Sequence, residues 1–150
     1  MRLIKAKIQD SNFFFNLRNS PEVRKNSINK KKLNLKSHHE WFKKAIKKDK
    51  IFKIVNNQKK NCGYVRLEKK LKVFFVSISV RKEFRGKNLA SKALIKIENY
   101  APANAEFAAI VKKKNVISKN LFEKVGYNVF SKSKSSLFLK KNKNKLKKVL

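Results

Sequence analysis

The chain has 150 residues, 41% of them hydrophobic, and a formal net charge of +32 at pH 7. This length predicts a single domain, and the apolar content, which includes 12 phenylalanines, excludes a disordered polypeptide. No run reaches the roughly 18 apolar residues of a membrane-spanning helix, and a single cysteine, Cys62, excludes an internal disulfide. With no secretory signal and no cluster of metal-ligating residues, we expect a cytoplasmic protein without a structural metal.

The charge is extreme because 41 lysines and arginines stand against only 9 acidic residues. Such an excess attracts polyanions, including nucleic acids and phosphorylated cofactors. The basic residues are mostly lysines, scattered with asparagine, isoleucine and phenylalanine through every segment, which is also the pattern that codon bias produces. Charge alone therefore leaves a functional and a compositional explanation open.

The first 36 residues predict a strand, a helix and a loop. Residues 2–8 alternate as in a strand, and Asp10 or Ser11 begins an amphipathic helix that ends before Pro21. Residues 21–36 carry no apolar stripe until their end. We expect them to form a substrate-side loop with at most one helical turn.

A second helix and two strands come next. Ser37 with Glu40 three residues later forms a capping box, followed by an apolar side that includes Trp41. Residues 51–55 and 63–67 predict short strands. Together with the strand that follows, they predict an antiparallel meander.

The central segment runs from a strand through a basic loop into a helix. Residues 73–80 alternate cleanly, and residues 89–101 carry apolar side chains at helical spacing. The loop between them holds four cations close to unpaired N–H groups at the helix start: Arg81, Lys82, Arg85 and Lys87. Free N–H groups and the helix dipole favour an anion, so the segment predicts a phosphate or pyrophosphate site.

The C-terminal third predicts a strand at residues 105–111 that pairs in parallel with the central strand, because a helix connects the two. Asn115 begins a last helix, which Gly126 ends. The apolar residues of that helix are predicted to point inward: Val116, Ile117, Leu121, Phe122 and Val125. Two closing strands, 127–130 and 136–139, complete one domain over residues 1–139, and the basic tail 140–150 is expected to be flexible.

Residues 85–90 resemble the pyrophosphate loop of the GCN5-related N-acetyltransferases (GNAT), whose pattern is Arg or Gln, two free positions, Gly, one free position, then Gly or Ala. Arg85 and Ala90 match, and Asn88 replaces the usual second glycine. Because asparagine tolerates left-handed backbone angles and caps helices, we expect the loop to keep its shape. Residues 115–127 resemble the family's final helix.

The resemblance implies an α/β (α+β) fold: a mixed, mostly antiparallel sheet flanked by helices, with a splayed strand pair at the cofactor cleft. It also implies acetyl-coenzyme A as cosubstrate. The residues implied to bind it are Ile78, Ser79, Val80, Arg85, Gly86, Lys87, Asn88, Leu89, Ala90, Asn115 and Ser118.

A closer resemblance lies in residues 23–42, with later Gly-Tyr-Val-Arg and Ser-Ile-Ser segments. They are similar to the amino-sugar-nucleotide acetyltransferases of pseudaminic acid biosynthesis. That similarity implies acetyl transfer to the 4-amino group of a UDP-linked 4-amino-4,6-dideoxy sugar. Arg24, His38 and Trp41 are then the candidate residues of the sugar-nucleotide side.

Acetyl transfer from a thioester needs an oxyanion donor and routes for two protons. The backbone N–H of Ile78 or of its neighbour is the candidate donor, and Ser79 and Ser77 are the candidate proton relays because the central strand holds no carboxylate. Many family members protonate the thiolate with a tyrosine where this chain has Phe122. Either Tyr127, Tyr64 or water replaces it, or the reaction relies mostly on proximity.

Two other functions stay open. A ribosomal-protein Nα-acetyltransferase would share the fold and take a peptide terminus, with RNA or the ribosome as a neighbour. A basic nucleic-acid-binding module without catalysis would need basic and aromatic residues clustered on one exposed sheet. The sequence does not distinguish a monomer from a homodimer.

Overall fold

The computed structural model describes residues 1–142, which form one seven-stranded sheet with five helices around it. The strands are β1 (Arg2–Lys5), β2 (Lys50–Val55), β3 (Asn61–Lys70), β4 (Val73–Val80), β5 (Glu106–Lys112), β6 (Asn128–Lys132) and β7 (Ser136–Asn142). The helices are α1 (Ser11–Arg18), α2 (Pro21–Asn26), α3 (Leu35–Lys48), α4 (Leu89–Ile97) and α5 (Val116–Lys124).

The strand order is β1-β2-β3-β4-β5-β7-β6, and every neighbouring pair is antiparallel except β4 with β5. The parallel pairing joins only residues 73–75 to residues 106–108. Beyond these residues β4 continues to Val80 and β5 to Lys112, but the two strands no longer pair with each other and therefore separate. The predicted mixed, mostly antiparallel fold with a splayed strand pair is confirmed.

The two faces of the sheet carry separate apolar cores. On one face α4 and α5 cover β2 to β5, and this larger core includes Val65, Val76 and Leu94, each at most 4% exposed. On the other face α1 and α3 pack through Phe14 and Phe42. The rows that β3 and β4 present to this second face are mostly polar, and they lead into the gap between β4 and β5.

The N-terminal third differs from the sequence prediction at three points. β1 ends at Lys5, and residues 21–26 form the helix α2 where a loop was expected. The predicted capping box at Ser37 is wrong, because α3 begins two residues earlier and Asn34 accepts a hydrogen bond from the Ser37 N–H at 3.1 Å. An asparagine cap replaces the serine cap.

The C-terminal third also shows differences. Val116 and Ile117, predicted to point inward, are 56% and 81% exposed, because only the later turns of α5 reach the core. α4 ends at Ile97 and continues as a short 3-10 turn. β7 runs to Asn142, three residues into the segment predicted as a tail, and residues 143–150 lie outside the described part. No helix among the described residues is long and apolar enough to cross a membrane.

Candidate active site

A cavity of about 720 Å³ lies where β4 and β5 separate. One end is formed by β4, the loop before α4, and α5, and the other by α1, α2 and β3. Thirteen of the fifteen predicted site residues line it: Ser77, Ile78, Ser79, Val80, Arg85, Gly86, Asn88, Leu89, Ala90, Asn115, Ser118, Arg24 and Trp41. Lys87 and His38 do not line the cavity.

The open edge of β4 presents main-chain groups to this cleft. The Arg81 N–H donates to the Cys62 carbonyl on β3 at 2.7 Å. Because alternate residues of a strand direct their N–H and C=O groups to opposite sides, Ile78 and Val80 direct theirs away from β3, toward the gap. The Val80 carbonyl accepts a hydrogen bond from Arg85 Nε at 3.0 Å. An extended ligand can therefore bind along β4 as an added strand.

The loop before α4 has the backbone of an anion site. Gly86 has a φ of +80°, and Asn88, which precedes the first helical residue, has a φ of +59°. The Asn88 side chain does not cap α4 as expected; instead its Oδ1 accepts a hydrogen bond from Lys124 Nζ at 3.3 Å. Among residues 1–142, no acceptor is found for the N–H groups of residues 89–91. These free donors in a cationic loop fit a pyrophosphate.

Arg85 connects this loop to the other end of the cleft, which is formed by α1, α2 and β3. Its guanidinium forms an ion pair with Glu22 on α2 while its Nε binds the Val80 carbonyl. Both side chains are about two-fifths exposed. The ion pair is therefore open to exchange with a solvent-borne anion at modest cost, roughly 1 kcal/mol or less.

Asn115 and Ser118 line the cleft but bind each other. Asn115 Oδ1 accepts from the Ser118 N–H at 3.2 Å, and its Nδ2 donates to Ser118 Oγ at 3.0 Å. This pair caps α5 and fixes its first turn. Further along the helix Phe122 is 3% exposed and packs edge-on against the Tyr127 ring, with centroids 5.0 Å apart.

We call the end of the cleft formed by α1, α2 and β3 the acceptor end, and Trp41 is its central side chain. The Arg18 guanidinium lies 4.3 Å from the centre of its ring, and that of Arg66 lies 5.1 Å away. Arg66 is held by two hydrogen bonds to Asp49 Oδ2, at 2.9 and 2.7 Å, and by Glu68 at 3.0 Å. The sequence prediction included Trp41 but missed both arginines, although the alternation of β3 places Arg66 on the polar face.

The cleft is strongly cationic. Seven lysines and arginines line it, against the two glutamates Glu22 and Glu68. Glu22 pairs with Arg85, and Glu68 pairs with Arg66 at 3.0 Å and lies 3.9 Å from Lys70. Since each glutamate already has a cationic partner, the cleft attracts anions and repels polycations.

His38 lies in the core, not in the cleft as expected. It is 4% exposed, stacks on Phe42, and its Nδ1 is 3.4 Å from Nη1 of Arg18. Burial and the nearby Arg18 charge lower the pKa of His38 below its ordinary value of 6.5. Its position on α3 directs the ring toward Phe15 and Arg18 on α1.

A family model described as an acetyltransferase (GNAT) domain matches residues 1–128. The chain belongs to the GNAT acetyltransferase family. As a member it is an N-acetyltransferase with acetyl-coenzyme A as its cosubstrate. No match was found among curated proteins.

Several solved structures share the fold. The Vibrio cholerae spermidine N-acetyltransferase in complex with CoA and spermine has a TM-score of 0.83 at 16% identity, covering 95% of both chains. A Sinorhizobium meliloti phosphinothricin acetyltransferase with acetyl-CoA has a TM-score of 0.79 at 12% identity, covering 95% of this chain and 88% of its own. A domain from Methanocaldococcus jannaschii has a TM-score of 0.82 at 16% identity, covering 94% and 97%. At these identities the likeness concerns the fold alone, and none of these three structures is described as a nucleotide-sugar enzyme.

Of the four hydroxyl groups considered for proton transfer in this acetyltransferase, three lie in the cleft and one lies in the core. Ser77, Ser79 and Tyr64 line the cleft, and Tyr64 is paired in register with Ser79. Burial raises the pKa of Tyr64, which keeps its hydroxyl protonated. Tyr127 is 2% exposed and does not line the cleft, and its hydroxyl has no partner among the described residues. Of the two tyrosines considered as proton donors, only Tyr64 has access to the cleft.

Proposed function

We propose that the protein transfers the acetyl group of acetyl-coenzyme A to the 4-amino group of a UDP-linked 4-amino-4,6-dideoxy sugar. The observation that carries the proposal is the charge of the cleft: seven cations line it, and both of its glutamates are already paired. A nucleotide sugar brings a diphosphate and one amine, which suits this field. A polyamine, the substrate named for the Vibrio cholerae enzyme, would meet repulsion instead.

The cosubstrate fits the end of the cleft formed by β4, α4 and α5. The N–H groups of residues 89–91 and the cations Arg85 and Lys124 would hold the pyrophosphate. Gly86 supplies a backbone angle that side-chain-bearing residues adopt only with strain. The main-chain groups of Ile78 and Val80 would hold the pantetheine arm along the open edge of β4.

The reaction is a direct attack of the amine nitrogen on the thioester carbonyl carbon, which forms the amide C–N bond and breaks the C–S bond. The Ile78 N–H donates to the carbonyl oxygen as negative charge develops on it. Ser79 and Ser77 pass the proton lost by the amine to water. Tyr64 donates a proton to the leaving thiolate, because it lines the cleft and burial keeps its hydroxyl protonated.

The acceptor's diphosphate is assigned to Arg24. Its Nε donates to the Lys30 carbonyl at 3.3 Å, and the side chain lines the cleft. Two terminal nitrogens can bind two phosphate oxygens and so orient the sugar toward the thioester. Trp41, with Arg18 beside it, offers a flat wall for the rest of the acceptor.

The test is release of free thiol from acetyl-coenzyme A with three acceptors in parallel: a UDP-4-amino-4,6-dideoxy sugar, spermidine, and ribosomal-protein N-terminal peptides. We expect turnover with the nucleotide sugar alone. Turnover of spermidine or of a peptide without turnover of any amino-sugar nucleotide would replace this function with the corresponding alternative.

A further inference from the structure

Three aromatic side chains form a row on the part of the sheet that α1 and α3 leave uncovered. Phe75 on β4 and Phe138 on β7 have ring centroids 6.0 Å apart, and Phe138 and Phe130 on β6 have centroids 6.2 Å apart. We call these three residues the aromatic strip. Phe75 also lines the acetyltransferase cleft, so the strip leads from the cleft on β4 across β5 and β7 to the edge strand β6.

An irregularity in the backbone of β6 exposes Phe130, the outer residue of the strip. The pairing of β6 with β7 is irregular between Val129 and Ser131, which leaves Phe130 opposite no partner. A bulge of this kind redirects a side chain. Phe130 is 67% exposed, and with Phe138 and Phe75 it forms a contiguous aromatic surface rather than a single exposed side chain.

Lysines accompany the rings. Lys140 Nζ lies 4.1 Å from the centre of the Phe130 ring and 5.9 Å from that of Phe138, and Lys70 Nζ lies 5.3 Å from that of Phe75. Both lysines also have a glutamate partner: Lys140 pairs with Glu106 at 2.9 Å, and Lys70 lies 3.9 Å from Glu68. Rings with cations beside them are the arrangement that binds stacked bases and their phosphates.

We propose that the aromatic strip binds single-stranded nucleic acid, with bases stacked on Phe130 and Phe138 and phosphates at Lys140 and Lys70. This binding is a further function beside acetyl transfer, and its inner end, at Phe75 and Lys70, borders the cleft. Three rings in a row exceed what one nucleotide needs, which favours an oligonucleotide over the base of a single nucleotide substrate. A second copy of the chain fits poorly, because two identical faces would bring lysines against lysines in a protein of charge +32.

The experiment measures the affinity for a fluorescent 15-residue oligouridine by anisotropy at a fixed, moderate salt concentration. Phe130→Leu keeps the apolar volume but removes the ring, and Phe130→Tyr keeps the ring. We expect Phe130→Leu to weaken binding about five- to tenfold, within the range for loss of one stacked base, and Phe130→Tyr to bind as the wild type does. Unchanged binding by Phe130→Leu would overturn the proposal.

Charge needs its own control, because a protein this basic binds any polyanion weakly. Lys140→Ala and Lys44→Ala remove one charge each, from the strip and from the exposed side of α3 respectively. We expect Lys140→Ala to lower the slope of log affinity against log salt by about one and Lys44→Ala to leave it nearly unchanged. Equal effects of the two variants would contradict the site, as would equal affinity for heparin, which has no bases. A dimer by light scattering that Phe130→Leu dissociates would assign the strip to self-association instead.

Discussion

Glu22 on α2 forms an ion pair with Arg85 of the loop before α4, so one contact joins the acceptor end of the cleft to the cosubstrate end. The pairing occupies the arginine that the GNAT resemblance assigns to the pyrophosphate. An incoming pyrophosphate must therefore share Arg85 with Glu22 or displace it. The first two predictions concern this relationship.

Reversing the charge at Arg85 removes the cation nearest the proposed pyrophosphate. We expect Arg85→Glu to raise the Kd for acetyl-coenzyme A by about tenfold or more, the loss expected for a charge-assisted hydrogen bond. Isothermal titration calorimetry on folded protein measures it. Arg81→Glu is the matched control, because Arg81 carries the same charge four residues earlier but does not line the cleft. Equal losses in both variants would show a general effect of charge and no specific site.

Removing Glu22's charge has the opposite expected effect. Glu22→Gln frees Arg85 from its partner, so acetyl-coenzyme A should bind up to about fivefold more tightly, the limit set by an exposed ion pair. Glu106→Gln removes a paired carboxylate elsewhere and raises the net charge equally. A weaker affinity in Glu22→Gln than in Glu106→Gln would mean that the ion pair holds Arg85 in its binding position.

The two tyrosines give a contrast within one experiment. Tyr64→Phe should lower kcat about 100-fold, the lower end of the range for loss of a general acid, and leave the KM for acetyl-coenzyme A unchanged. Tyr127→Phe should leave kcat unchanged and keep or raise the Tm, because the hydroxyl it removes is buried without a partner in the described chain. Steady-state kinetics and a thermal melt of both variants check this. An undiminished kcat in Tyr64→Phe would show that water, and not Tyr64, donates the proton to the leaving thiolate.

His38 makes stability depend on pH. Its pKa is lowered in the folded protein by burial and Arg18, with His39 a smaller contributor and a bond to Ser11 acting in the opposite direction. The unfolded chain therefore binds a proton first as the pH falls below about 7, and this favours unfolding. The stability that a neutral His38 provides is present above pH 6.5 and is lost as the pH falls toward its lowered folded pKa.

The measurement is the free energy of unfolding by urea at several pH values between about 5 and 8. We expect the wild type to lose stability toward acid by at most about 1.4 kcal/mol per pH unit from this one group. His38→Gln should have a shallower dependence on pH over the same range. Parallel curves for the two proteins would show that His38 does not titrate differently on folding.

The parts that the sequence predicted well depend on neighbours along the chain. The alternation of residues 73–80 gave β4 its bounds, and the parallel pairing of β5 follows from the helix between the two strands. Positive φ angles at Gly86 and Asn88 agree with the loop expected there. The strand and the loop are determined by residues only a few positions apart, and the parallel pairing by the one helix that connects the two strands.

The parts that it missed depend on distant contacts. Trp41 meets Arg18 from α1 and Arg66 from β3, and nothing in the sequence near any of the three indicates that they meet. Residues 21–26 were expected to form a loop because their sequence shows no apolar stripe. The stripe is missing because none of the residues of α2 is buried. His38 was assigned to the cleft from its motif, and the direction of its ring follows only from how α3 packs on α1.

A pair of KM values for Arg24→Gln tests whether the cleft recognises the acceptor by its diphosphate through Arg24. We expect the KM for the UDP-amino sugar to rise about tenfold while the KM for acetyl-coenzyme A stays unchanged. Lys25→Gln, the neighbouring exposed cation that does not line the cleft, should change neither. An unchanged KM for the sugar nucleotide, or an equal rise in both KM values, would contradict this recognition through Arg24.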